Sequence, residues 1–363
     1  MKKFLFKIQQ YLCPPGNGVF TVHTAKEHKL SLQLKLYNES NPTNVLKAWK
    51  SSLSQLESSK LPCLLGITSD TGGGIQRGAN WGPLFIRNQL LDYTEKYFDL
   101  GDTKTIPHLL HDKYLNAETI KSCQNALYGE NPENLPVSSL SITENFCESF
   151  HKHFPEKSLF SLGGDHSISY STVKPWLLAK KDIKTKTAII HFDAHTDLMD
   201  KRLGIDICFG SWAYHMIELL DSPDLLMQFG IRSSGKEKSY WEKTLGVKQY
   251  WNTDFTNSGE DIILQETIQH LKSKGVTELY ISFDIDALDS QFASATGTPE
   301  DNGLSLKQCT HLITGLSDHF EITGADLVEV APFVRNTNSK VPEPDTTLNS
   351  AKIIAKTLIG VLK

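Results

Sequence analysis

Residues 188–197, AIIHFDAHTD, carry an apolar run directly into three polar side chains. The run is typical of a buried strand, because it is too short and too β-branched for an independent helix. Asp193, His195 and Asp197 follow at every second position, so an extended backbone would direct their side chains the same way. Ligand sites gather at the carboxyl ends of strands in α/β sheets, and carboxylates with an imidazole bind divalent cations. The stretch predicts a strand that ends in a metal site, with a hydrogen-bonded polar turn as the alternative.

The composition is that of a globular protein with a sizeable core. The chain has 363 residues, of which 39% are hydrophobic and 22% charged, and this length allows one large domain or two. A net charge of -5 without a basic stripe argues against nucleic-acid binding. The six cysteines form no CxxC pair, and no apolar run approaches the roughly 20 residues that cross a membrane. We therefore expect a cytoplasmic protein with reduced thiols that binds neither nucleic acid nor membrane.

The first 60 residues carry the least information. The initial MKKFLFKIQQYLC resembles a signal peptide, but polar residues interrupt its apolar run and no small-residue cleavage site follows. Residues 44–59 have a helical spacing of apolar side chains. We expect residues 1–60 to form an N-terminal extension packed on a main domain of residues 61–363.

Beyond residue 60, apolar runs alternate with helical patterns. Strictly alternating units of this size imply an α/β fold with a parallel sheet and helices on both faces. Residues 101–140 are polar and predict a loop. The predicted strands are 61–67, 158–162, 187–192, 225–231, 247–251, 278–284 and 324–330, and the predicted helices are 82–91, 141–153, 168–179, 211–220, 236–244, 261–273, 305–317 and 346–361. The Gly-rich loop before residue 82 matches neither GxGxxG nor GxxxxGK[ST], which argues against nucleotide binding.

Three of these strand ends carry groups that bind metal ions. Together they offer two imidazoles and four carboxylates, enough for two divalent ions that share bridging carboxylates. Oxygen and nitrogen donors without a thiolate favour Mn²⁺-like ions over structural zinc. Two such ions about 4 Å apart would deprotonate a bridging water near neutral pH. The six candidate ligands are His166, Asp193, His195, Asp197, Asp284 and Asp286.

The motifs around these ligands are GGGIQRGANWGPLFIR at 72–87, GGDHS at 163–167, DAHTD at 193–197, SFDIDALD at 282–289, GTP at 297–299 and ADLVEVAP at 325–332. In order and spacing, from about residue 62 to the C-terminus, they resemble the arginase–agmatinase (ureohydrolase) family. The resemblance implies a three-layer α/β/α fold with a mostly parallel central sheet and a catalytic domain over residues 61–363. It also implies two Mn²⁺ per chain, hydrolysis of a guanidine or amidine C–N bond, and a homo-oligomer, either trimer or hexamer.

The resemblance also assigns roles to individual residues. The six candidate ligands would hold the two ions, and Asp197 would in addition orient the bridging hydroxide. Glu329 would pair with the planar substrate cation, since a carboxylate is the two-pronged acceptor that a guanidinium or amidinium requires. A structural ion pair or cap is the alternative for Glu329. Thr298 is a weaker candidate for the substrate pocket, because Gly297-Thr298-Pro299 could equally be a turn.

One position departs from the family pattern. A His-Gly pair follows the DAHTD segment in arginases and agmatinases, and its His is thought to protonate the leaving amine. Phe209 stands at that position here and cannot transfer a proton. Either His215 or another side chain serves, or the substrate needs no shuttle, as in formimidoylglutamases, or the chain binds metal without efficient turnover. Trp212 and Tyr214 nearby could form an aromatic wall or pack in the core.

The sequence therefore predicts a metal-dependent amidinohydrolase acting on a small linear guanidino compound, agmatine-like more than arginine-like. Residues 198–208 lack the Asn and Ser placement with which arginases hold an amino acid. Formimidoyl hydrolysis is the close alternative. A single-metal zinc deacetylase is disfavoured because both His166 and Asp286 are present, and a non-catalytic relative is favoured only by Phe209.

Overall fold

The computed structural model describes residues 2–19, 25–71, 76–129, 134–334 and 345–363, which form one nine-stranded sheet flanked by helices. The strand order is β1-β3-β2-β4-β9-β8-β5-β6-β7. Every neighbouring pair is parallel except β1 and β3. The strands are β1 (Leu12–Cys13), β2 (Cys63–Gly66), β3 (Phe98–Thr103), β4 (Leu159–Leu162), β5 (Thr187–Phe192), β6 (Leu226–Ile231), β7 (Lys248–Trp251), β8 (Glu278–Asp284) and β9 (Glu321–Val328).

Helices cover the sheet and separate it from solvent. In β2, Leu64 belongs to one buried hydrophobic cluster, whereas Cys63 and Leu65 belong to another, as alternate positions of a strand should. The predicted three-layer α/β/α class is confirmed. Within the described ranges the α-helices are α1 (Lys2–Tyr11), α2 (Lys26–Leu36), α3 (Val45–Leu53), α4 (Gly82–Gln89), α5 (Ala117–Tyr128), α6 (Ser139–His153), α7 (Ile168–Asp182), α8 (Trp212–Met216), α9 (Lys238–Leu245), α10 (Asn252–Ser258), α11 (Glu260–Ser273), α12 (Leu306–Ser317) and α13 (Asp345–Val361).

The residues before 60 contribute to the main sheet. β1 is its antiparallel edge strand, and the Trp49 indole donates a hydrogen bond to the Leu100 carbonyl at 3.0 Å. The Asp102 carboxylate accepts backbone N–H bonds from Gly16 and Gly18 at 2.7 and 3.0 Å. The boundary at residue 60 remains a prediction.

The expected loop over residues 101–140 is wrong. It contains the end of β3 and the whole of α5. β3 was missed because its charged residues hide its strand character. Arg87 is fully buried and binds Asp99 and Asp102 at 2.8 and 2.6 Å, so the charges are paired, as buried charges must be.

Other predicted elements differ from the structure mainly at their ends. The helix expected over 211–220 is α8 followed by a short 3₁₀ turn. The strand expected over 324–330 is β9, which starts earlier and ends at Val328. Residues 72–75 of the Gly-rich loop lie outside the described residues. No helix of the described chain has an apolar stretch long enough to span a bilayer.

Candidate metal centre

Four adjacent strands bring the candidate site residues together. β4, β9, β8 and β5 are neighbours in the sheet and parallel, so their carboxyl ends meet at one edge. Asp193 follows β5 directly, Asp284 is the last residue of β8, and Glu329 follows β9. His166 lies just beyond β4, before α7 begins. All six candidate ligands are placed at this edge.

The first cluster is centred on the Nδ1 atom of His166. This nitrogen lies 3.1 Å from Asp193 Oδ2, 3.2 Å from Asp197 Oδ2 and 3.1 Å from Asp284 Oδ2. It is buried and has no hydrogen-bond partner among the described residues. An imidazole nitrogen and three carboxylate oxygens that converge in this way could serve as the ligands of one divalent cation.

The second cluster shares Asp193 with the first. His195 Nδ1 lies 3.3 Å from Asp193 Oδ1 and 3.1 Å from Asp286 Oδ2, and these three residues can jointly hold an ion. Because the two oxygens of Asp193 face different clusters, this carboxylate can bridge two ions. The residues present therefore fit a binuclear centre.

The loop, rather than an extended strand, produces this convergence. β5 ends at Phe192, so the expectation that period-two spacing on a strand aligns the three polar residues is wrong. Asp197 has a positive φ of 50°, a conformation that L-residues seldom adopt. Its carboxylate is held by the Trp212 indole, which donates to Oδ2 at 3.0 Å.

A hydrogen-bond chain in the core fixes the His166 ring. The Ser282 hydroxyl donates to Asp326 Oδ1 at 2.7 Å and lies 2.9 Å from His166 Nε2. Because its proton is directed at Asp326, the Ser282 oxygen accepts from Nε2–H. His166 then carries its proton on Nε2, and its Nδ1 lone pair is directed at the carboxylates. Metal binding through Nδ1 requires this tautomer.

His191 is a site residue that the sequence analysis missed. Gln228 donates from Nε2 to the Thr196 carbonyl at 2.6 Å and to His191 Nδ1 at 2.8 Å. His191 must therefore carry its proton on Nε2, which lies 2.9 Å from Asp193 Oδ2. It orients a ligand and is not one itself. The signal was present, since His191 lies on β5 and precedes Asp193 by two positions.

The electrostatics of the cluster favour added positive charge. Burial, assisted by the charge of Asp193, raises the pKa of Asp197 to about 8. Burial also raises the pKa of Asp284 well above its ordinary value, and the charges of Asp286 and Asp193 add to this effect. Burial disfavours a charged His166, yet the adjacent carboxylates of Asp193 and Asp284 raise its pKa well above the usual range. Divalent cations would relieve this excess of buried carboxylate.

Glu329 is held at the centre's edge in a strained conformation. Its φ is +63°, its backbone N–H donates to the Gly164 carbonyl at 2.8 Å, and its Oε1 accepts from the His166 backbone N–H at 2.8 Å. Burial and the charge of Asp284 raise the pKa of Glu329 well above its usual value. Thr298 donates to Asp286 Oδ2 at 3.1 Å, so it supports a candidate ligand as well as facing the pocket.

A pocket of about 600 Å³ opens above the two clusters. Phe209 forms part of its wall, whereas the described lining does not include His215 or Tyr214. His215 Nε2 instead lies 2.7 Å from the Asp206 carbonyl, behind the loop. Trp212 is fully buried and packs on His166 with ring centroids 4.9 Å apart, which favours the core interpretation of its role.

Comparison with known proteins identifies the family of this chain. A family model described as the arginase family matches residues 62–360. The chain belongs to the arginase family. As a member, it is a metal-dependent amidinohydrolase of the ureohydrolase type, and the predicted resemblance is confirmed.

Several arginase-family relatives cover most of the chain. It is 31% identical over 305 residues to an agmatinase of Bacillus anthracis, covering 83% of this chain and 91% of the relative. An arginase structure from Bacillus subtilis superposes with a TM-score of 0.61 at 25% identity, covering 83% of this chain and 99% of that one. A formimidoylglutamase structure from Bacillus subtilis has a TM-score of 0.64 at 21% identity, covering 84% and 87%, and this likeness supports the fold alone.

Proposed function

We propose that the chain is a binuclear manganese hydrolase that converts a linear guanidino compound and water to urea and an amine, as an agmatinase does. The observation that supports this proposal is a pair of candidate metal-binding clusters that share Asp193. The buried carboxylate of Glu329 lies beside them. The agmatinase relatives support a guanidine as the reacting group.

Six residues would hold the two ions: His166, Asp193, His195, Asp197, Asp284 and Asp286. When bound, the ions supply Lewis acidity and make water a nucleophile near neutral pH. Their oxygen and imidazole donors favour Mn²⁺. Asp197 is the carboxylate that we assign to orienting the attacking water.

Glu329 would position the substrate. Its carboxylate lines the pocket beside Asp284, and Oε1 has a second lone pair besides the one that accepts the His166 N–H. Two parallel N–H···O bonds from a guanidinium would fix the plane of the reacting carbon. Phe209 supplies no proton, so the departing amine would take its proton from solvent.

A second candidate reaction is favoured by Phe209 in the pocket wall. A formimidoyl amidine also loses an amine, but its carbon lacks the resonance of a third nitrogen and is the better electrophile. Such a substrate depends less on a positioned acid. Hydrolysis would then release formamide and an amine instead of urea and an amine.

We also propose a cytoplasmic location and a homo-oligomeric state, either trimer or hexamer. All six cysteines are free in the structure, which is typical of a reducing compartment. Sedimentation of the purified chain tests the assembly, and a monomer would contradict it.

The deciding experiment measures products from the Mn²⁺-loaded protein. Urea, formamide and amine are quantified with guanidino and formimidoyl substrates of matched chain length. Urea release supports the main proposal, and formamide release without urea supports the second. An Asp193→Asn variant, which removes the shared ligand, is the inactive control. No product from either class, in a protein that holds two ions, would refute both.

A further inference from the structure

The pocket above the metal centre is lined by buried carboxylates and by exposed cations. Its carboxylates, Asp193, Asp197, Asp284 and Glu329, are all buried, and we call them its floor. Its two cationic side chains, Arg202 and Lys236, belong to exposed residues, and we assign them to its wall. The negative charge of the lining therefore lies in the interior, and its positive charge lies towards solvent.

Arg202 is supported by the unusual Phe209. The Arg202 guanidinium carbon lies 4.8 Å from the centroid of the Phe209 ring, a distance typical of a cation–π contact. A pair of backbone hydrogen bonds between Arg202 and Ile205, at 2.8 and 2.9 Å, closes the turn that carries the arginine. The ring at position 209 therefore serves as a platform for a positive charge at the pocket wall.

The loop that carries Arg202 and Phe209 is attached to the protein body. Asp206 Oδ2 and Oδ1 bind the Lys113 ammonium and the Tyr114 hydroxyl, each at 2.5 Å. The Ile207 backbone N–H donates to the same tyrosine oxygen at 2.9 Å. These contacts restrain the loop, so Arg202 is presented from a defined position.

Lys236 lies on a second loop, after β6. The Ser234 hydroxyl oxygen accepts from the Lys236 backbone N–H at 3.2 Å and from the Trp241 indole at 2.9 Å. The Lys236 ammonium lies 5.3 Å from the centroid of the Tyr240 ring. The second cation therefore also belongs to an ordered loop.

We propose that the substrate carries a carboxylate at the end opposite its guanidine or amidine, and that Arg202 and Lys236 recognise it. The inference rests on the proposed function, because it assumes that the planar cation binds at the floor. Agmatine would place a second cation against two positive side chains, whereas a carboxylate would be attracted by both. The arginine fork also matches a carboxylate geometrically.

Two substrate pairs of matched length test the proposal with the Mn²⁺-loaded protein. The guanidines are 4-guanidinobutyrate and agmatine, and the amidines are the N-formimidoyl derivatives of 4-aminobutyrate and putrescine. In whichever pair reacts, we expect the carboxylate to exceed the amine by about tenfold in kcat/KM at low salt, and the ratio to shrink as salt screens the exposed cations.

Charge-reversal variants test whether Arg202 and Lys236 bind the substrate carboxylate. Arg202→Glu and Lys236→Glu should each move the preference towards the amine, mainly through KM. Lys201→Glu is the matched control, because Lys201 is the exposed neighbour of Arg202 outside the described lining. It should leave the ratio unchanged.

The outcomes separate this inference from the proposed function. A preference for the amine in the native protein, or a ratio that neither reversal changes, overturns the carboxylate proposal while the hydrolase proposal stands. If neither pair reacts in a protein that holds two ions, both fail. Hydrolysis of the amidine carboxylate alone supports the inference and selects the second candidate reaction.

Discussion

Replacing Glu329 by Gln tests the substrate position most directly. The change removes one charge and keeps the side-chain shape. The Gln oxygen can still accept the His166 N–H that Glu329 Oε1 accepts at 2.8 Å, but its NH₂ group then faces the pocket. Rotating the amide would put the NH₂ group against the His166 N–H instead. Either orientation sets a donor against a donor, so the substituted site loses a contact in every arrangement.

The size of the loss follows from the kind of contact. A charge-assisted hydrogen bond contributes about 1.5–3 kcal/mol, which is roughly 10- to 150-fold in kcat/KM at 25 °C. Because Gln also introduces a misdirected donor, we expect a decrease near the upper end, about 100-fold. Stability should change little, because the Gln oxygen can still accept the His166 backbone N–H.

The assay combines steady-state kinetics with metal analysis and thermal unfolding. Glu321→Gln is the control, because Glu321 lies at the exposed amino end of the same strand and pairs with Lys363. It should retain native kinetics. Unchanged kinetics in Glu329→Gln would refute the assigned substrate position. A loss of bound metal in that variant would instead show that Glu329 acts through the backbone of His166.

Four further predictions concern the centre and the residues around it. His166→Asn should reduce bound Mn²⁺ from about two ions per chain to about one, measured by elemental analysis, because its imidazole faces one cluster only. His191→Phe should weaken metal binding by about 10- to 100-fold in a Mn²⁺ titration, since outer contacts of ligands have effects of this size; native affinity would contradict the orienting role. Phe209→His should raise activity on guanidines more than on amidines, because a positioned acid contributes about 10²–10⁴-fold. An equal fall in activity on guanidines and on amidines would show that Phe209 only packs in the pocket wall. His215→Ala should leave the rates on both substrate classes unchanged. A loss of activity in this variant would indicate that His215 is the proton donor.

The candidate ligands could be predicted because their chemistry is concentrated at strand ends. Asp284 ends β8 and Asp193 follows β5, so the topology of a parallel sheet brings them together. The period-two spacing does not explain the position of Asp197, since a loop residue with positive φ places it, and a period-two pattern does not encode loop conformation. His191 has the same spacing, but a His inside an apolar run is equally typical of a strand residue without a role in the site.

Other features depended on partners distant in sequence. β3 contains Asp99 and Asp102, and nothing local shows that Arg87 neutralises them in the interior. The two cations of the pocket wall could not be predicted from the sequence either. Arg202 and Lys236 follow different strands, and only the folded chain places both at one pocket. Pairings of this kind are set by tertiary structure, which local patterns do not report.

The metal centre and the pocket wall are built from separate parts of the chain, and this separation limits what a relative's substrate can imply. The ligands rest on parallel strands, and core hydrogen bonds such as those of Ser282 and Gln228 fix their geometry. Arg202 and Phe209 lie instead on a surface loop, held by Asp206 through contacts that involve no candidate ligand. The loop side chains can therefore differ without cost to the ligands. A 31% identical agmatinase supports the reaction at the floor, whereas the charge of the substrate's other end must be deduced from the wall itself.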